Sequence, residues 1–111
     1  MSYRVGFASI AGTRLDQHFG SARYWQIYDI GTEARFVETR KTAPKCRGHC
    51  EGGFDHLLAA LHDCDAIFVL KIGEAAARAM INSGKRVFEA SGDLEDIIAR
   101  LIDEGLLDND L

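Results

Sequence analysis

Five consecutive apolar residues, Ala66-Ile67-Phe68-Val69-Leu70, constrain what this chain can fold into more than any other stretch. An apolar run without alternation is the pattern of a strand covered on both faces, and such a strand needs helices packed against the sheet. Helical patterns flank the run on either side. Before it, Phe54, Leu57, Leu58 and Leu61 fall at i, i+3, i+4 and i+7, with Asp55 favourably placed in the first turn. After it, Lys71-Ile72-Gly73 leads into an alanine-rich helix over residues 74–83, closed by Gly84, the residue type expected just past a helix end. The run therefore reads as a central parallel strand reached through a helical crossover.

The remaining elements follow from their periods. Residues 3–9 alternate Tyr3, Val5 and Phe7 against Arg4, Gly6 and Ala8, a strand whose small-residue face admits close packing. Residues 24–30 and 35–40 are aromatic and β-branched strands separated by Gly31-Thr32-Glu33-Ala34, a hairpin spacing. Tyr24, Trp25, Tyr28 and Phe36 read as packing between these strands rather than as a stacking platform for bases. Residues 86–90 form a last strand, Ser91-Gly92-Asp93 is placed to cap a helix, and Leu94, Ile97, Ile98, Leu101 and Ile102 make that helix's apolar stripe. The order β-β-β-α-β-α-β-α gives an α/β fold with a mixed sheet of about five strands and three helices. Residues 1–105 read as a single domain and 106–111 as an acidic tail. A chain of 111 residues with 47% hydrophobic content can build one core without disulfides.

Composition excludes several roles. Thirteen basic against seventeen acidic side chains give a net charge of −4, which argues against a general binder of nucleic acid or anionic membrane. Three cysteines and a start that goes straight into a strand pattern point to reduced thiols in the cytoplasm. No apolar run approaches the roughly 20 residues of a membrane helix. The two strands expected at the sheet centre carry no carboxylates, so a two-metal nuclease has no ligands there. Neither G-x-G-x-x-G nor G-K-[ST] occurs, and Cys46 and Cys50 are one residue too far apart for the C-x-x-C of a thiol oxidoreductase. A serine or cysteine hydrolase has no local signature.

Ligands of such sheets favour the carboxyl ends of the strands. The loop after the first strand holds Asp16-Gln17-His18-Phe19-Gly20, and the buried strand is followed by Lys71-Ile72-Gly73. If the two strands are neighbours, one rim combines the His18 imidazole, the helix amides after Gly73 and the cations of Arg14, Arg23 or Lys71. That combination suits a ligand both metal-containing and anionic. By spacing alone, His18 also reads as a loop histidine bonded to a backbone carbonyl. A second polar knot, Cys46-Arg47-Gly48-His49-Cys50 with His56 beyond it, offers thiolates and imidazoles for zinc, iron or an iron-sulfur cluster. A C-x-x-x-C without a second cysteine pair equally describes a polar loop with incidental thiols. Cys64 reads as packing at a helix-strand junction.

Taken together, Val5-Gly6-Phe7-Ala8 leading to Asp16-Gln17-His18-Phe19-Gly20, then Phe36-Val37-Glu38-Thr39-Arg40-Lys41, then Asp63-Cys64-Asp65-Ala66-Ile67-Phe68-Val69 with Lys71-Ile72-Gly73, resemble the dinitrogenase iron-molybdenum cofactor-binding family. That family includes NifX- and NafY-type carriers and the carboxy-terminal domain of NifB, and the resemblance covers nearly the whole chain. It implies a ribonuclease H-like fold without nuclease activity. The implied role is a non-enzymatic carrier, in nitrogenase cofactor biosynthesis or a related pathway, for an iron-sulfur or iron-molybdenum type cluster or its precursor. Donor and acceptor assembly proteins are the implied partners.

In the family the histidine of the His-Phe-Gly element is associated with cofactor binding, and it matches His18; Cys46, His49 and Cys50 carry over only as candidate supplementary ligands. Few soft ligands plus hydrogen-bond donors suit a transient cargo, whereas a closed cage suits a structural metal. The rival reading is a structural or regulatory interaction module in which Cys46, His49, Cys50 and His56 hold zinc. A small redox enzyme using the loop thiols is a third. The chain reads as a monomer or a homodimer, two His18 loops sharing one cluster being chemically reasonable.

Overall fold

A computed structural model describes residues 3–19, 22–42 and 55–104. In chain order its elements are β1 (Tyr3–Ala8), β2 (Arg14–Leu15), β3 (Tyr24–Ile30), β4 (Ala34–Lys41), α1 (Asp55–Ala60), β5 (Ala66–Val69), α2 (Glu74–Asn82), β6 (Arg86–Glu89), β7 (Gly92–Asp93) and α3 (Leu94–Glu104). The main sheet has the order β4-β3-β1-β5-β6. β3 and β4 form the expected antiparallel hairpin, β3 also pairs antiparallel with β1, and β5 runs parallel to both β1 and β6. The apolar run thus sits inside a mixed sheet, with all four of its strand residues buried.

Packing explains the small residues of β1. A Cβ added at Gly6 would lie 3.4 Å from Ile27 Cδ1 and Leu61 Cδ2 and 3.5 Å from Trp25 Cε3, so the missing side chain makes room for all three. Phe7, Phe68 and Phe88 stack across β1, β5 and β6, with ring centroids 5.2 and 4.6 Å apart. Tyr28 meets Phe36 edge-on across the hairpin at 5.4 Å, as expected of cross-strand packing. Cys64 is buried beside β5, and burial, helped by the Asp63 charge, pushes its thiol up to about 11.

Two features depart from the sequence reading. The residues expected to cap α3 instead form a ladder: Gly92 and Asp93 pair with Leu15 and Arg14, and the first amide of α3, on Leu94, donates to the Thr13 carbonyl at 3.0 Å. Gly92 has φ +112°, a conformation that admits glycine far more readily than other residues. The β1–β3 loop is therefore tied to the start of α3, and β2 and β7 are strands the local pattern did not announce.

The second feature is an ion network. Asp63, just after α1, accepts hydrogen bonds from Arg40 of β4 at 2.6 and 2.9 Å and from Arg4 of β1 at 3.0 Å. Arg4 also forks onto Asp29 of β3 at 2.9 and 3.1 Å, while Arg40 reaches Glu38 and the Ala60 carbonyl. The Glu-Thr-Arg-Lys stretch of β4 is thus structural through Arg40, which fastens the α1–β5 turn to the sheet.

Asp63 is held far below its ordinary carboxylate range, first by Arg40 and then by Arg4. Its contribution is fully present above the ordinary pKa of 3.8 and is lost as pH falls through the depressed folded value. Asp63→Asn is expected to cost about 2 kcal/mol at neutral pH, discounted for partial exposure. Urea denaturation at pH 7 and at pH 3 should show the gap between variant and parent narrowing in acid.

Candidate functional site at the carboxyl rim of β1 and β5

Because β1 and β5 are parallel neighbours, the segments that leave them meet at one rim. The loop after β1 first folds back, with the amides of Asp16 and Gln17 both donating to the Ala8 carbonyl at 3.3 and 3.2 Å. It then bonds to the segment after β5: Leu70 N–H donates to the Gln17 carbonyl at 3.0 Å, and Phe19 N–H to the Lys71 carbonyl at 2.8 Å. Gln17 is buried, and its Oε1 accepts the amides of Arg23 and Tyr24 at 3.2 and 3.3 Å, closing the loop onto the start of β3. Phe19, 1% exposed, packs edge-on against Trp25 with ring centroids 6.1 Å apart.

His18 lies between these two buried neighbours and is exposed. With Gln17 and Phe19 anchored inward on either side of it, the residue left at the surface of this stretch is His18. The hydrogen bond from Phe19 to Lys71 joins this loop to the segment that enters α2. There Gly73 is the N-cap, no side chain caps the helix, and a Cβ on Gly73 would meet nothing within 4 Å. The space beside Gly73 is thus uncrowded, at a helix start that carries partial positive charge and has Glu74 in its first turn. The Ile72 amide, one residue earlier, donates to Glu89 Oε2 at 2.9 Å.

The expected site residues are distributed unevenly around this rim. The segments that carry His18 and Lys71-Ile72-Gly73 are joined by the backbone bonds described above, and Lys71 is exposed. Arg23 is exposed and joined to the same loop through Gln17. Arg14 belongs to the other arm of the loop, in β2, in register with Asp93. Cys46, His49 and Cys50 lie outside the described residues, and His56 falls within α1.

The strand leading into the cysteine segment ends at this rim. Thr42 N–H donates to the Arg23 carbonyl at 2.8 Å; its hydroxyl donates to the Ala22 carbonyl at 3.1 Å and accepts Trp25 Nε1–H at 3.2 Å. Among the described residues, no three His, Cys, Asp or Glu side chains converge as a metal cage. Nor is any helix among them long and apolar enough to cross a membrane.

Two residues were missed in the sequence. Gln17 was noticed only as part of the motif; its role as the clamp that closes the loop onto β3 depends on Arg23 and Tyr24. Glu89 gave no signal, since its contact with Ile72 depends on β5 and β6 being paired.

The model of the family described as dinitrogenase iron-molybdenum cofactor matches residues 1–104. The chain belongs to this family. Among curated relatives, the protein NifX of Rhodobacter capsulatus is 37% identical over 87 residues, covering 73% of this chain and 55% of NifX. The FeMo cofactor biosynthesis protein NifB of Sinorhizobium fredii is 30% identical over 94 residues, covering 82% of this chain but 19% of NifB. The chain therefore spans about a fifth of the NifB protein and about half of NifX. In solved structures the same fold occurs in PH0822, with a TM-score of 0.71 at 22% identity, covering 91% of each chain. It occurs again in a candidate dinitrogenase of Methanocaldococcus jannaschii, with a TM-score of 0.65 at 16% identity, covering 94% of this chain and 91% of that one.

Proposed function

We propose that this protein is a non-enzymatic carrier in FeMo cofactor biosynthesis or a related pathway, holding an iron-sulfur or iron-molybdenum type cluster, or its precursor, at the His18 rim. The observation that carries the proposal is the hydrogen bond from Phe19 to Lys71, which ties the loop of the exposed His18 to the segment entering a helix without a side-chain cap. Imidazole is a borderline ligand suited to an iron site, and the helix start of α2 with Lys71 and Arg23 suits the cluster's negative charge. One protein ligand with surrounding donors gives binding that can be reversed, as delivery requires. Cys46 and Cys50, with His49, are proposed as supplementary contacts, reached from the strand that Thr42 ties to this rim.

The sheet order, an antiparallel hairpin on one side of β1 and two parallel strands on the other, supports a ribonuclease H-like classification. The central strands carry no Asp or Glu, which supports a carrier over a metal-dependent nuclease. Donor and acceptor proteins of cofactor assembly, in the cytoplasm, are the partners this reading implies.

The test is metal content and absorption of the protein isolated without oxygen from its own cells. Iron, acid-labile sulfide and broad sulfur-to-iron absorption are expected. One tightly held zinc per chain without that absorption would replace the carrier reading with the zinc-held interaction module.

A further inference from the structure

We infer that Glu89 is the positioning residue of the rim, fixing how far the His18 loop stands from the start of α2. The inference rests on the proposed cargo site for its functional consequence, but its geometry is independent of any cargo. Glu89 ends β6 in register with Val69, the last residue of β5, and the Ala90 amide donates to the Val69 carbonyl at 3.0 Å. Its carboxylate therefore reaches across the rim to the segment that continues from β5, and Oε2 accepts the Ile72 amide at 2.9 Å.

The peptide unit joining Lys71 to Ile72 is thus held on both sides. Its carbonyl takes the Phe19 amide, and its own N–H is held by Glu89. A carboxylate there is favoured by the helix dipole of α2, and the bond is charge-assisted. Releasing it would free the Ile72 amide and loosen the peptide unit whose carbonyl holds Phe19, one of the two bonds that join the His18 loop to the segment entering α2. Glu89 is exposed, so its loss leaves no cavity, and the effect should be confined to the rim.

Amide hydrogen exchange in the protein without cargo decides the point, and binding of a cluster reconstituted from ferrous iron and sulfide gives the consequence. In Glu89→Ala, exchange at Ile72 and Phe19 should rise about tenfold while Phe7 and Ile67 in the central strands stay unchanged, the loss expected for one charge-assisted bond. Cluster binding should weaken by a similar factor. Glu89→Gln keeps an acceptor at the same reach and should return both readouts to within about threefold of the parent. Unchanged exchange at Phe19 in Glu89→Ala, or a Glu89→Gln variant as impaired as Glu89→Ala, would overturn the assignment. If the parent takes up no cluster at all, the carrier reading fails, while the exchange pattern still decides the role of Glu89.

Discussion

His18→Ala is expected to weaken binding of a reconstituted iron-sulfur cluster by about 100-fold while leaving the fold intact. Changes to groups that merely orient a ligand already cost about 10- to 100-fold in metal affinity, so loss of the ligand itself belongs at the upper end of that range. The fold should survive because the imidazole is exposed and its anchoring is done by its neighbours, Gln17 through Arg23 and Tyr24 and Phe19 through Lys71 and Trp25. The unfolding free energy should stay within about 0.5 kcal/mol of the parent, as for surface substitutions generally. His18→Cys, which restores a soft ligand at the same place, should recover part of the affinity. Anaerobic titration followed by absorption, with urea denaturation of the same samples, reads both effects.

Trp25→Ala is expected to have the largest effect on stability, about 3–5 kcal/mol, as for a large aromatic removed from a core. Trp25 is fully buried, and three parts of the molecule rest on it. Its ring fills the space that Gly6 vacates, it meets Phe19 edge-on, and its Nε1–H donates to Thr42. A domain of this size is stabilised by about 5–15 kcal/mol in all, so the variant should be partly unfolded at modest temperature. Trp25→Phe keeps an aromatic ring and loses only the indole donor. Thr42 still has the Ala22 carbonyl to donate to, so this variant should recover more than half of the lost stability. Urea denaturation of the two variants separates the packing contribution from the hydrogen bond.

What could be read from the sequence was whatever local periodicity encodes. The unbroken run at 66–70 required a strand covered on both faces, and Val5 and Phe7 alternating with Gly6 required one small face; both are present around Leu61 and Trp25. The hairpin was legible from its turn spacing, and α3 from its stripe, of which Leu94 and Leu101 are fully buried. What stayed hidden depends on residues far apart in the chain. Asp63 meets Arg4 and Arg40, Gly92 and Asp93 meet Leu15 and Arg14, and Glu89 meets Ile72 only once the sheet order is set. No window of sequence contains both members of those pairs.

The surroundings of residues 91–93 were hidden for the same reason, since Gly92 and Asp93 pair with Leu15 and Arg14 and the distant Thr13 carbonyl takes the first amide of α3. At the rim, the motif offered His18 as the candidate, and the burial of Gln17 and Phe19 on either side of it could not be read there.

The most direct test of the rim as a cluster site is pulsed electron paramagnetic resonance of the protein loaded with a paramagnetic iron-sulfur cluster and labelled with nitrogen-15 on histidine. A hyperfine coupling to one histidine nitrogen, present in the parent and lost in His18→Ala, is the predicted result. A loaded parent without any nitrogen coupling, or a coupling that persists in His18→Ala, would contradict it.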